Sequence, residues 1–172
     1  MAECTLWSLG PYEGLLKQCI TTVKARGHKA LAVELAEFAA ERAYAELKDQ
    51  GPINAIFAVP ASQQGQRFRG FSLPQIMETK LAEKSGWPSL EQKLRRVYRS
   101  STKNSQGLTK GDRLQRNQAM LTDVDKRANL GTLLLLDDVV TTGATLGRCV
   151  AQATMQGFEN VVCFALAELP PE

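Results

Sequence analysis

Four consecutive leucines, Leu133–Leu136, run without a break into two acids, Asp137 and Asp138. No other stretch constrains the fold as strongly. A strand with one wet face alternates polar and apolar residues, so a run that is apolar at every position suits a strand covered on both faces. Parallel sheets flanked by helices supply that environment. Ile53 to Val59 has the same character, as does Asn160 to Ala167 with Val161, Val162, Phe164 and Leu166. Between the leucines and the last run, Ala144 to about Gln156 carries Leu146, Cys149, Val150 and Ala153 at helical steps, and Gly157 closes it. Strand, helix and strand in that order predict a right-handed parallel crossover. The expected class is α/β, with an open, mainly parallel β-sheet flanked by helices.

Upstream, Tyr12 to about Lys24 predicts a short helix with the stripe Leu15, Leu16, Cys19, Ile20 and Val23, ended by Arg26-Gly27. Lys29 to Leu47 predicts a longer one, with Leu31, Leu35, Phe38, Ala39 and Arg42 at three- and four-residue steps. Gly51-Pro52 breaks it. Pro74 to Lys84 predicts a third helix, with its proline in the first turn, where it is tolerated. Residues 60–71 form a polar loop, and Leu94 to Tyr98 is a strand candidate that its charges weaken. At 172 residues the chain suits one domain. It is expected to comprise a helical N-terminal segment over 1–50 and an α/β core over 53–167.

With 44% hydrophobic and 23% charged residues, the composition argues against disorder. No apolar run of about 18 residues predicts a membrane span, and Met1-Ala2-Glu3-Cys4 does not begin a secretory signal. A cytoplasmic protein without membrane contact is the expectation. The four cysteines, Cys4, Cys19, Cys149 and Cys163, form no C-x-x-C pair, and His28 is the sole histidine, which argues against zinc. Cys149 and Cys163 fall on apolar positions and read as small core hydrophobes. A disulfide would need an oxidising compartment.

The net charge of +3 is unevenly placed. Between Lys93 and Arg116 stand eight basic residues and a single acid, Asp112, so this segment carries +7 and the remainder −4. Such a local field suits an anionic ligand, a polyphosphate or a nucleic acid. Ser100 to Gly111 within it is long, polar and without apolar period, as functional loops often are.

The two acids stand where a parallel sheet binds its ligands, at the carboxyl end of the strongest strand. Adjacent carboxylates repel one another and call for hydroxyls or a cation, and the neighbouring hydroxyls of a ribose satisfy both. Next come Thr141, Thr142, Gly143, Ala144 and Thr145. Here a glycine permits a tight turn, hydroxyls donate, and the first amides of a helix favour an anion. Acids, hydroxyl-glycine loop and helix in this order match a sugar with a phosphate a few ångströms away. No lysine follows the glycine, so it is not a P-loop. A plainer reading makes the acids solvated strand-end residues and Thr-Thr-Gly a helix cap.

This run closely resembles the phosphoribosyl pyrophosphate (PRPP) motif of the type I phosphoribosyltransferases. The resemblance implies that Asp137 and Asp138 hold the ribose hydroxyls, and that Thr141, Thr142, Gly143, Ala144 and Thr145 hold the 5-phosphate. Over nearly the whole length the chain is similar to the competence protein F (ComF) branch, associated with DNA uptake. That similarity rests on Tyr12, Gly14, Val23-Lys24, Val59-Pro60, Arg69-Gly70-Phe71, Arg95-Arg96-Val97, Thr102, Gln106, Leu108, Arg113, Arg116-Asn117 and Ala119. Two features depart from it. The branch's N-terminal four-cysteine zinc ribbon would lie before this chain's first residue, and Ser72-Leu73 replace an Asn-Gln pair.

The resemblance implies pyrophosphate contacts from Arg67, Arg69 and Gly70, and phosphate contacts from Lys103, Arg113 and Arg116 on a loop that closes over PRPP. Solvated surface charge is the plain alternative for both sets. The implied reaction is pentosyl transfer: an unidentified nitrogenous acceptor or ammonia displaces pyrophosphate from C1 of PRPP, with Mg²⁺ brought by the substrate and contacted by Asp137 and Asp138. His28 lies far from the motif and offers no general base. The alternative is a non-catalytic phosphoribosyl- or nucleotide-binding protein acting in DNA uptake. Single-stranded DNA, competence-machinery proteins and a homodimer stand as candidate partners. The basic segment has only Tyr98 to stack bases, which weakens the DNA reading.

Overall fold

A computed structural model describes residues 4–60, 69–90 and 130–169. The element order is β1 (Thr5–Ser8), α1 (Gly14–Arg26), α2 (Lys29–Leu47), β2 (Ala55–Ala58), α3 (Leu73–Ser85), β3 (Thr132–Val140), α4 (Ala144–Met155) and β4 (Asn160–Glu168). The four strands form one sheet in the order β1-β4-β3-β2, and every neighbouring pair is parallel. The fold is α/β, as the apolar runs require.

Each strand's side chains divide between two cores. Leu134 and Leu136 join one cluster with residues of α1, α2 and α3, while Leu133 and Leu135 join the other with Leu146, Cys149, Val150 and Ala153 of α4. All four leucines are fully buried. That two-sided burial is the physical reason for the unbroken leucine run.

The helices fall close to their expected spans, but two apolar stripes are corrected. In α2 the buried side is Ala32, Ala36, Ala39, Ala40, Ala43 and Leu47, whereas Phe38 is 55% exposed and Arg42 is also exposed. Alanines, lacking bulk, let α2 approach its neighbours closely. In α1 the stripe narrows to Ile20 and Val23, and Leu15 is 76% exposed.

The N-terminal segment also supplies β1, a four-residue strand beside β4 with Leu6 opposite Cys163. Beyond β2, Ile56 exchanges backbone hydrogen bonds with the 88–90 segment: its amide donates to Pro88 and its carbonyl accepts from Leu90. The strand candidate Leu94 to Tyr98 lies outside the described residues.

Asn54 and Thr132 clip the entries of β2 and β3 together. The Thr132 amide donates to Asn54 Oδ1 at 2.8 Å, and the Asn54 amide donates to the Thr132 carbonyl at 2.9 Å. Gly131, at φ +68°, makes this approach feasible, because a Cβ there would collide with the Asn54 amide. Among the described residues no helix is long and apolar enough to cross a membrane.

Candidate functional site

The strand bearing the acids is longer than its leucines. β3 continues through Asp137 and Asp138 to Val140, in register with β4, where Asp137 lies opposite Ala165 and Val139 opposite Ala167. On its other side the pairing with β2 ends at Ala58 and Leu136, closed by the Val59 amide donating to the Leu136 carbonyl. β3 therefore overhangs β2, and both acids sit on the overhang. Each carboxylate accepts from the next amide along: Asp138 N–H donates to Asp137 Oδ1 and Val139 N–H to Asp138 Oδ1, both at 2.8 Å. These local bonds hold the acids in place.

Above the overhang lies a cavity of about 360 Å³. Asp137, Asp138, Thr141, Thr142, Gly143, Ala144 and Thr145 all line it, with Val59 and Pro60 from the end of β2 and Lys24 from the last turn of α1. Residues read from the sequence as sugar and phosphate contacts are thus gathered on one concave surface. Arg69 lines it too, and its Nη1 donates to the Lys24 carbonyl at 3.3 Å. Gly70 follows Arg69 at φ +72° and is not part of the lining. The remaining expected contacts, Arg67, Lys103, Arg113 and Arg116, lie outside the described residues, as does the rest of the basic segment from Lys93.

Within the lining, Gly143 caps the start of α4 in the left-handed region, at φ +69°. This glycine makes no side-chain cap, and the nearest hydroxyl, Thr142 Oγ1, is 3.4 Å from the Ala144 amide. The first amides of a helix have no partners within it and carry the positive end of its dipole. Together with the exposed hydroxyls of Thr141, Thr142 and Thr145 they suit an anion.

Lys24 Nζ stands 2.9 Å from Asp138 Oδ1. Lys24 is not among the site residues expected from sequence, since an ion pair between α1 and β3 leaves no local pattern. Its only signal is its place in the Val23-Lys24 helix end. Burial, followed by the charge of Asp138, pushes the Asp137 carboxyl up to about 7; the Asp138 amide and the Lys24 charge only partly oppose this. Cys149 lies near enough to feel Asp137, and its thiol is pushed up to about 12, first by burial and then by that carboxylate.

His28 lies outside the cavity lining. It caps α2 instead, with Nδ1 accepting from the Leu31 amide at 3.1 Å. Among the described residues no group of three or more His, Cys, Asp or Glu side chains is arranged to hold a metal. In comparisons with known proteins, no family model matches the chain and no curated protein matches it significantly.

Proposed function

We propose that the cavity binds PRPP and that the chain transfers its ribose 5-phosphate unit to an acceptor, releasing pyrophosphate. The observation that carries this reading is one juxtaposition: two carboxylates and a hydroxyl-glycine helix start share a single cavity at the carboxyl end of a parallel strand. Asp137 and Asp138 would accept hydrogen bonds from the ribose hydroxyls. The 141–145 loop and the first amides of α4 would take the 5-phosphate. Lys24 and Arg69 add positive charge to the lining, where it would favour a second anionic group such as pyrophosphate.

The acids also suit Mg²⁺ carried in by the substrate. Magnesium is commonly held by one or two carboxylates together with substrate phosphates rather than by a protein cage. Burial, and then the Asp138 charge, raise the Asp137 carboxyl, and a bound cation would favour its ionised form. Bound Mg²⁺ would offset the charge on the departing pyrophosphate. The chain's own groups would fix the ribose so that C1 faces an incoming nucleophile, and alignment of this kind accounts for much of the catalysis in such displacements.

Pyrophosphate release in the presence of PRPP, Mg²⁺ and a panel of nitrogenous acceptors tests the transfer. Release that depends on one acceptor supports it. Tight PRPP binding without release under any acceptor would instead support the ligand-binding role in DNA uptake.

A further inference from the structure

A second group of reactive side chains lies outside the cavity lining, in the core between the sheet and α4. Cys4, immediately before β1, packs against that core, and Cys163 of β4 is fully buried within it. Their sulfurs stand 2.7 Å apart, although the residues are 159 positions apart in sequence. The register explains the meeting. Leu6 lies opposite Cys163, so Cys4, one full pleat earlier in β1's direction, reaches the same face diagonally. A disulfide joins sulfurs at about 2.05 Å, and these two thiols already stand in contact.

The two thiols are unequal. Cys4 is partly exposed, and the hydrogen bond it shares with Cys163 draws its pKa below the ordinary thiol value. Cys163 is shifted upward, by that same hydrogen bond and then by burial. Thiolate character and access favour Cys4 as the attacking sulfur, with Cys163 placed to resolve the product. Neither residue lines the ligand cavity.

We propose that Cys4 and Cys163 form an oxidation site that closes to a reversible disulfide when a peroxide or a small-molecule disulfide reaches Cys4. With hydrogen peroxide, the Cys4 thiolate attacks one oxygen and the O–O bond breaks, giving a sulfenic acid and hydroxide, which takes a proton to become water. The Cys163 sulfur then attacks Cys4 sulfur, the S–O bond breaks, and the hydroxyl leaves as water with the Cys163 proton. Two thiols have lost two electrons, and the peroxide has been reduced to two waters. With a small disulfide, Cys4 forms a mixed disulfide and Cys163 displaces the remaining thiol.

The bond would fasten β1 to β4. β1 is a four-residue edge strand, and from it the chain leads to α1 and Lys24. Oxidation therefore ties down the segment that presents Lys24, without touching the cavity itself. This site is independent of the phosphoribosyl reading.

Peptide mapping of the wild-type chain tests the proposal without relying on a variant. The protein is treated with hydrogen peroxide or oxidised glutathione, alkylated under denaturing conditions and digested without reductant. The expected result is a Cys4 peptide joined to a Cys163 peptide, with Cys19 and Cys149 alkylated, and full reversal by dithiothreitol. Oxidation should raise the melting temperature of the wild type and leave that of Cys4→Ser unchanged. Recovery of Cys4 as a stable glutathione adduct or higher oxide with Cys163 alkylated, or linkage of either to another cysteine, would overturn it. A melting rise of equal size in Cys4→Ser would also overturn it.

Discussion

Lys24 Nζ lies 2.9 Å from Asp138 Oδ1, so the last turn of α1 is pinned to the overhanging end of β3. The pair is partly exposed, with 34% of the Lys24 side chain and 17% of the Asp138 side chain open to solvent. Solvent screening limits its worth to about 1 kcal/mol. Lys24→Met should therefore lower stability by about that amount in chemical denaturation. It should weaken binding of PRPP or pyrophosphate more clearly, by roughly tenfold, because Lys24 lines the cavity that the anion would enter and a charged hydrogen bond would be lost. Unchanged affinity in calorimetry would remove Lys24 from the binding surface.

Asp137 makes stability depend on pH in a defined direction. Burial and then Asp138 raise its carboxyl from 3.8 to about 7 in the folded protein. Between those values the folded state holds a proton that the unfolded state has released. The contribution is complete below pH 4 and is lost as pH rises through 7. Each tenfold difference in proton affinity between the two states corresponds to roughly 1.4 kcal/mol. Asp137→Asn should thus be more stable than wild type at pH 8 by a few kcal/mol and should lose the slope between pH 4 and 7. Parallel pH-dependent slopes in the two proteins would show that Asp137 is not the group responsible. Ligand hydroxyls or Mg²⁺ favour the ionised carboxylate, so PRPP binding should tighten as pH rises through 7 and release protons below it.

Two glycines in left-handed conformation should respond differently to a methyl group. At Gly143, φ +69°, a Cβ would meet open space, so Gly143→Ala carries only the backbone penalty of about 1–2 kcal/mol. At Gly131, φ +68°, the same change adds a collision with the Asn54 amide that joins β2 to β3. Gly131→Ala should lower the melting temperature well beyond Gly143→Ala. Equal losses would contradict the packing at Asn54.

The α2 surface offers a further pair. Ala36 is fully buried, and Ala36→Leu should cost about 1–3 kcal/mol through overpacking. Phe38, although the larger hydrophobe, is exposed, and Phe38→Ala should stay within about 0.5 kcal/mol of wild type. Thermal denaturation of both variants checks the ordering.

That contrast shows where the sequence was legible. The strands could be read because burial on both faces demands apolar residues at every position, as at Leu133–Leu136. The face of α2 could not, because the periodicity draws attention to Phe38 whereas the helix packs through alanines small enough to sit against its neighbours. β1 escaped notice for a related reason. It has four residues at a sheet edge, and Trp7 and Leu6 are only partly buried, so no pattern marks it. In the site, the acids and the 141–145 loop are contiguous and carry their chemistry in order. Lys24 comes from another element, and only tertiary structure brings it to Asp138.

Binding of PRPP with Mg²⁺ to the wild type and to the doubly substituted Asp137→Asn, Asp138→Asn chain, followed by titration calorimetry, tests the ribose-phosphate site most directly. The double substitution keeps side-chain shape and removes the charge. Saturable wild-type binding that falls by at least about a hundredfold in the variant, with the variant still folded by circular dichroism, is the predicted result. No wild-type binding, or binding that the two substitutions leave unchanged, would contradict it.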